Sequence, residues 1–151
     1  MDTKEIVNRR ARHDFEILET CEAGIALKGT EVKSIREGRA SLAGAFARVD
    51  RDEVWLIGSH IDEYAQGNRY NHDPKRFRKL LLHRSEIKKL FQLSSINGHT
   101  LIPLKIYFNQ RGIAKVQLAV CKGKLDRDRR EDLKKQDAER EIRQAMKRRR
   151  Q

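Results

Sequence analysis

The chain has 151 residues, of which 34 are Lys or Arg and 22 are Asp or Glu, so its formal charge is +12. It contains no apolar run of the ~20 residues that a membrane-spanning helix needs, and its N-terminus lacks the apolar stretch of a signal peptide. These features predict a monomeric cytoplasmic protein, one domain plus an appendage, that binds nucleic acid or another anionic surface and does not enter a membrane.

The N-terminal quarter is predicted to be a basic arm followed by a hairpin. Residues 1–12 are polar and end in a cluster of arginines. Residues 15–18 begin a strand, residues 22–24 (Glu-Ala-Gly) supply a turn, and residues 25–28 pair back.

A short helix is predicted next, because Val32 and Ile35 are three residues apart. Thr30 is suited to cap its N-terminus and Gly38 to end it. We expect this helix to close one end of a sheet.

The middle of the chain predicts a second hairpin, with strands at 45–49 and 54–57 joined by 50–52. Alternation along 54–57 indicates a strand covered partly on both faces. Residues 60–64 are predicted to extend it, and residues 65–76 form a loop rich in Asn, Gly and charge.

The last third predicts a helix and a third hairpin. Ser85 would cap the helix, which carries Ile87, Leu90, Phe91 and Leu93 on one side and ends at Asn97-Gly98. The hairpin strands run over 100–108 and 113–121 and alternate apolar with polar residues. Altogether the pattern predicts a mainly β domain at 13–122 with short helices, a small, partly closed antiparallel barrel similar to an OB fold.

The segment 123–151 is a charged tail, with 12 Lys or Arg and seven Asp or Glu. It has too little apolar surface to offset the entropy of ordering. Asp128 and Glu131 form a candidate capping box, and Ile142 and Met146 belong to a narrow apolar stripe. We therefore expect a tail that is disordered when free and helical when bound.

Three basic clusters favour RNA or DNA as the partner: residues 8–13, residues 71–79 and the tail. The planar fork of Arg suits phosphate, and neutralising each phosphate releases counterions. Nearby rings could stack on unpaired bases; they are His13, Tyr64, Tyr70 and His72.

No catalytic or cofactor motif stands out, and the five histidines lack metal-ligand spacing. The sequence therefore predicts a protein that is not an enzyme and holds no cofactor or metal. A metal-dependent nuclease built from Glu31, Asp62 and Asp73 is an alternative. Glu31 itself either forms an exposed ion pair with Lys33 or accepts hydrogen bonds from a base edge.

Five stretches, in order, resemble the SsrA-binding protein (SmpB) family. They are Asn8-Arg9-Arg10-Ala11-Arg12-His13, Gly29-Thr30-Glu31-Val32-Lys33-Ser34-Ile35-Arg36, the run from Asp73 to Leu82, the run from Leu101 to Phe108, and Gly123-Lys124 followed by Asp128-Arg129-Arg130. Together they span nearly the whole chain.

The resemblance implies a bacterial protein that binds the tRNA-like domain of transfer-messenger RNA (SsrA RNA) and delivers it to stalled ribosomes for trans-translation. It also implies an elongation factor carrying the charged RNA as a further partner. Residues expected toward the tRNA-like domain by position are Asn8, Arg9, His13, Glu31 and Lys33. Arg10, Arg36, His72 and Arg76 are expected to bind the same domain.

In this family the tail enters the decoding centre and the empty mRNA channel of the small subunit, where it replaces the codon–anticodon pair. Residues expected to act there are Gly123, Lys124, Arg127, Asp128, Arg129, Arg130, Ile142 and Met146, with Gly123 as a hinge. Leu125, Arg127 and Arg129 depart from the family's common Lys, His and Lys at these positions. The alternative is a general basic RNA-binding translation protein or RNA chaperone with an OB-like core.

Overall fold

The computed structural model describes residues 4–67, 70–124 and 140–144. Up to residue 124 these residues form nine strands and three helices. The strands are β1 (Ile6–Val7), β2 (Phe15–Ile25), β3 (Ala40–Ser41), β4 (Phe46–Asp50), β5 (Glu53–Ile57), β6 (His60–Ile61), β7 (Arg78–Leu81), β8 (His99–Phe108) and β9 (Ala114–Gly123). The helices are α1 (Ala11–Asp14), α2 (Gly29–Arg36) and α3 (Arg84–Ser94).

Six strands close into an antiparallel ring in the order β8, β4, β5, β7, β2, β9 and back to β8. At two places, neighbouring strands of the ring are joined by only one or two residue pairs. β4 meets β8 through the single pair Ala47–Leu101, and β2 meets β7 through Gly24–Leu81 and Ile25–Leu80. The predicted partly closed, OB-like barrel is therefore confirmed.

The second and third predicted hairpins are confirmed as β4–β5 and β8–β9. In the first of these, Arg51 and Asp52 have φ of 49° and 63°, the left-handed geometry of a tight two-residue hairpin loop. Val54 and Leu56 face inward without exposure, whereas Trp55 is half-buried outside, as the alternation predicts.

The predicted turn at residues 22–24 is wrong, because β2 runs unbroken from Phe15 to Ile25. Gly24 lies inside the strand and pairs with Leu81 on one side and Lys115 on the other. A Cβ at Gly24 would lie 3.2 Å from the Leu81 Cβ. The glycine therefore permits a close approach of two strands and does not mark a turn.

The predicted extension of β5 past Gly58 is also wrong. β6 leaves the barrel sheet and pairs with β3 in a separate two-stranded sheet, Ala40 with Ile61 and Ser41 with His60. Gly58 has φ of 82°, a conformation that turns the chain away from the strand direction.

Both predicted N-caps lie two residues too far along the chain. α2 follows Lys28, whose N–H donates to Glu31 Oε1 at 2.8 Å, and α3 follows His83, whose N–H donates to a Glu86 oxygen at 3.3 Å. A carboxylate in the first turn thus satisfies the free backbone donor in place of Thr30 or Ser85. The predicted end of α2 is confirmed, since Gly38 has φ of 76°.

The main core fills the barrel, and Ile35 of α2 and Leu90 of α3 pack into it. A second, smaller cluster lies where Ala11 of α1 packs with Ile102, Leu104, Ala119 and Cys121 of β8 and β9. β1 adds to β8 through Ile6–Ile106 and Val7–Lys105. The segment predicted to be an arm is therefore part of the folded body from Ile6 onward.

In the tail, residues 140–144 are helical and Ile142 is exposed. The ordering of the tail on binding stays a prediction. The candidate capping box at Asp128 lies outside the described residues. No helix in the described ranges is both long and apolar enough to cross a bilayer.

Candidate nucleic-acid interface

The centre of the candidate interface is a carboxylate held between two arginines. Glu31 Oε2 accepts from Arg78 Nε at 2.6 Å, and Glu31 Oε1 accepts from Arg76 Nη2 at 2.5 Å. Arg76 Nε also donates to both oxygens, at 3.1 and 3.0 Å. Glu31 and Arg78 are fully buried, whereas the Arg76 side chain keeps 25% of its surface exposed. This arrangement satisfies the buried charges with directed hydrogen bonds.

The environment of Glu31 favours its ionised form. Burial alone raises the pKa of Glu31, but hydrogen bonds from Arg76, the Lys28 N–H and Arg78 lower it by more, so that its pKa lies below its ordinary value. The carboxylate is therefore charged at neutral pH and remains paired with the two guanidinium groups.

Arg78 holds the preceding loop in place. Its guanidinium donates to the carbonyl oxygens of Pro74 and Arg76, each at 3.1 Å, and to Ser59 Oγ at 2.9 Å. Because α2 supplies Glu31 and β7 supplies Arg78, this network joins the helix to the basic loop.

His72 makes a second connection between the loop and α2. Its Nε2 donates to the Ile61 carbonyl at 2.9 Å, and its Nδ1 lies 2.8 Å from Thr30 Oγ1. Since a carbonyl only accepts, Nε2 is the donor to Ile61, and the Thr30 hydroxyl, which can donate or accept, completes the pairing at Nδ1. His72 is 2% exposed.

These positions correct three expectations about direct contacts. Glu31 cannot accept hydrogen bonds from a base edge, because it has no exposed surface and its oxygens are occupied by Lys28, Arg76 and Arg78. The Glu31–Lys33 surface ion pair does not form for the same reason. His72 is too buried to stack on a base, so neither side chain offers a direct contact surface for a base.

The structure also does not support the metal site that the nuclease alternative requires. The described residues contain no group of three or more His, Cys, Asp or Glu side chains placed to hold a metal ion. Glu31 is neutralised by two arginines, and Asp62 accepts at one oxygen from His60 Nε2 at 2.9 Å.

Two exposed cations project from α2 beside this buried network. Lys33 Nζ lies 5.4 Å from the centre of the Tyr64 ring, and the Arg36 guanidinium lies 5.2 Å from the centre of the Phe108 ring. The structure thus places Lys33 and Arg36 on one helix, with Arg76 bound to Glu31 of that helix. Lys33 and Arg36 are exposed and therefore accessible to a phosphate backbone.

Hydrogen bonds from Asn8 attach the N-terminal site residues to β8. Asn8 donates from Nδ2 to the Pro103 carbonyl at 3.0 Å and from its backbone N–H to the Leu104 carbonyl at 2.8 Å. Arg9 and Arg10 follow at once and are exposed, without an ion pair to any described residue. His13 Nδ1 lies 2.9 Å from Asp14 Oδ1. Asn8 therefore anchors the two arginines to the barrel wall.

Most of the tail residues of the predicted site lie outside the described residues, but Gly123 and Lys124 are described. Gly123 is the last residue of β9 and pairs with Phe15, so it lies in the sheet and not in a free linker. The Lys124 N–H donates to the Asp14 carbonyl at 3.5 Å. Arg127, Asp128, Arg129, Arg130 and Met146 lie outside the described residues.

Sequence reasoning missed Arg78, although a signal for it was present. Arg78 and Leu80 are the buried positions of β7, and Lys79 and Leu81 are the more exposed ones. A charged residue at an inward position of a strand needs a buried partner. Glu31, at the buried side of α2 with Ile35, is that partner.

Comparisons with known proteins agree with this architecture. The sequence matches the family described as SmpB protein over residues 5–148. An SsrA-binding protein of Moorella thermoacetica is 57% identical over 142 residues, covering 94% of this chain and 92% of the relative. An SsrA-binding protein of Bacillus subtilis is 55% identical over 139 residues, covering 92% of this chain and 88% of the relative.

A solved structure gives the same result at the level of the fold. It is described as "tmRNA-SmpB: a journey to the center of the bacterial ribosome", and one of its chains is 51% identical to this one. The two superpose with a TM-score of 0.71, covering 85% of this chain and 94% of that one. The protein therefore belongs to the SmpB protein family.

Proposed function

We propose that this protein binds transfer-messenger RNA, the SsrA RNA, and brings it to the bacterial ribosome for trans-translation. The observation that carries the proposal is the 57% identity, over 94% of the chain, to a protein named for SsrA binding. The basic, partly closed barrel is consistent with it, since the whole chain carries +12. A site of action on the ribosome places the protein in the cytoplasm.

Within this function we assign RNA contact to the exposed cations of the body. Arg9 and Arg10 on the N-terminal segment and Lys33 and Arg36 on α2 are exposed. Glu31, His72 and Arg78 act as positioning residues, because they fix the basic loop against α2 and are themselves buried. The protein's role is recognition and delivery, with no catalytic step assigned to it.

The tail, residues 123–151, is assigned to the decoding centre and the mRNA channel. It carries 12 Lys or Arg in 29 residues, a composition suited to a channel walled by RNA. An elongation factor that carries the charged RNA is the further partner expected in this assignment.

A competition experiment tests the proposal. The full-length protein is bound to a labelled tRNA-like domain of transfer-messenger RNA at fixed salt, and unlabelled domain or ordinary tRNA is added. We expect the unlabelled domain to compete at least tenfold better than tRNA. Equal competition by both RNAs would instead identify a general basic RNA-binding protein.

A further inference from the structure

Away from the α2 cluster, the barrel carries two adjoining grooves. The first, of about 840 Å³, lies between residues 5–15 and 38–46. The second, of about 310 Å³, lies between β4 and the C-terminal end of α3. Phe46 and Thr100 line both, so the grooves meet at these residues. We call the joined grooves the Phe46 track.

The charge of the first groove is positive once its ion pairs are counted. Of its two acids, Glu5 is paired with Lys105 at 3.6 Å, and Asp14 Oδ1 forms a hydrogen bond with His13 Nδ1 at 2.9 Å. Arg9 and Arg10 line the same groove and have no ion-pair partner among the described residues. The two arginines of the groove outnumber its one remaining carboxylate. Two unneutralised guanidinium groups therefore face this groove.

The second groove combines an exposed ring with a further cation. Phe91 is 56% exposed, although the sequence pattern predicts it on the apolar side of α3, and Phe46 is 38% exposed. Arg48 lines the groove and is exposed, again without an ion pair to a described residue. The described residues that line it include no carboxylate.

Exposed aromatic rings next to unpaired arginines are the elements by which proteins hold single-stranded nucleic acid. The rings stack on bases, which a duplex hides between its strands, and the arginines neutralise phosphates. Resting on the proposed function, we propose that the Phe46 track binds an unpaired RNA strand, with bases on Phe46 and Phe91 and phosphates at Arg9, Arg10 and Arg48.

The probe for this site is a fluorescein-labelled octauridine, whose binding to the full chain is measured by anisotropy. Phe46→Leu and Phe91→Leu keep apolar volume but remove the ring, so each should weaken octauridine binding at least fivefold. Leu18→Ala is the control, because Leu18 is an apolar residue of β2 that is 46% exposed, lines neither groove and lies outside the basic clusters. It should change the affinity less than twofold. Arg48→Gln should reduce the slope of log affinity against log salt by about one.

The outcomes separate this inference from the proposed function. If Phe46→Leu and Phe91→Leu bind octauridine as the wild type does, or lose no more affinity than Leu18→Ala, the Phe46 track is not an RNA site. That result leaves the preference of the wild type for the tRNA-like domain over tRNA intact. If that preference is absent but the two ring substitutions still weaken octauridine binding, the track stands and the proposed function fails.

Discussion

Arg78 Nε donates to Glu31 Oε2 at 2.6 Å in a place where neither side chain has any solvent exposure. The two residues lie 47 positions apart in the chain and join β7 to α2. Because removing one member of such a pair leaves a buried charge uncompensated, the pair constrains the fold strongly. It also sets the position of the basic loop that precedes β7.

The pH dependence of stability should report on Glu31. Since its pKa is lowered on folding from an ordinary 4.5, the stabilisation it provides is fully present above pH 4.5 and is lost as the pH falls through the folded-state pKa. Glu31→Gln should lower the free energy of unfolding at pH 7 by about 3 kcal/mol. The difference from the wild type should narrow below pH 4.5, as measured by urea unfolding at several pH values.

Glu16→Gln is the control for this prediction, because Glu16 is exposed and makes no ion pair with a described residue. It should change the free energy of unfolding by less than about 0.5 kcal/mol at any of these pH values. A constant difference between wild type and Glu31→Gln from pH 7 to pH 3 would contradict the role given to the Glu31 carboxylate.

A double-mutant cycle should show that Glu31 and Arg78 act as one unit. Glu31→Ala and Arg78→Ala should each lower the free energy of unfolding by about 3–5 kcal/mol, because each leaves the other residue's charge buried without a partner. The double variant should cost less than the sum of the two by about 1–3 kcal/mol. Additive losses would mean that the two side chains stabilise the fold independently.

The RNA affinity of the body should depend on Lys33 through its charge. Lys33→Ala should weaken binding to every structured RNA by a similar factor and reduce the salt slope by about one. Arg84→Gln is the matched control and should leave the salt slope unchanged, because Arg84 is also exposed but lies at the start of α3. Identical salt slopes for Lys33→Ala and the wild type would exclude a phosphate contact at Lys33.

Removing residues 128–151 should separate RNA binding from action on the ribosome. We expect the shortened protein to bind the tRNA-like domain with an affinity within about twofold of the full chain, since the exposed cations of the body remain. Peptide tagging on stalled ribosomes should be abolished in a reconstituted translation assay. Loss of RNA binding on truncation would show that the tail is part of the RNA site.

The hairpin loop between β4 and β5 offers a prediction about stability alone. Asp52 has φ of 63°, which costs an L residue about 1 kcal/mol and a glycine almost nothing. Asp52→Gly should therefore raise the free energy of unfolding by about 0.5–1 kcal/mol. Asp50→Gly, in the strand just before, should lower it by a similar amount. A loss of stability in Asp52→Gly would contradict the loop geometry.

The sequence was most informative where a pattern is local. Alternation along β5, β8 and β9 predicts two of the hairpins, because strand periodicity depends only on neighbouring residues. Local signals failed where neighbours in space decide the outcome. Gly24 has the composition of a turn, but close contact with Leu81 keeps it within β2.

By itself the sequence determined that this protein is a basic, mainly β domain with a charged tail, because charge, composition and periodicity are properties of the chain. Only the tertiary structure decided that Glu31 lies between Arg76 and Arg78, that residues 6–14 pack on the barrel, and that Phe46 adjoins two grooves. The physical reason is that burial and pairing join residues far apart in the chain. A carboxylate's role depends on which charges the fold brings within hydrogen-bonding distance.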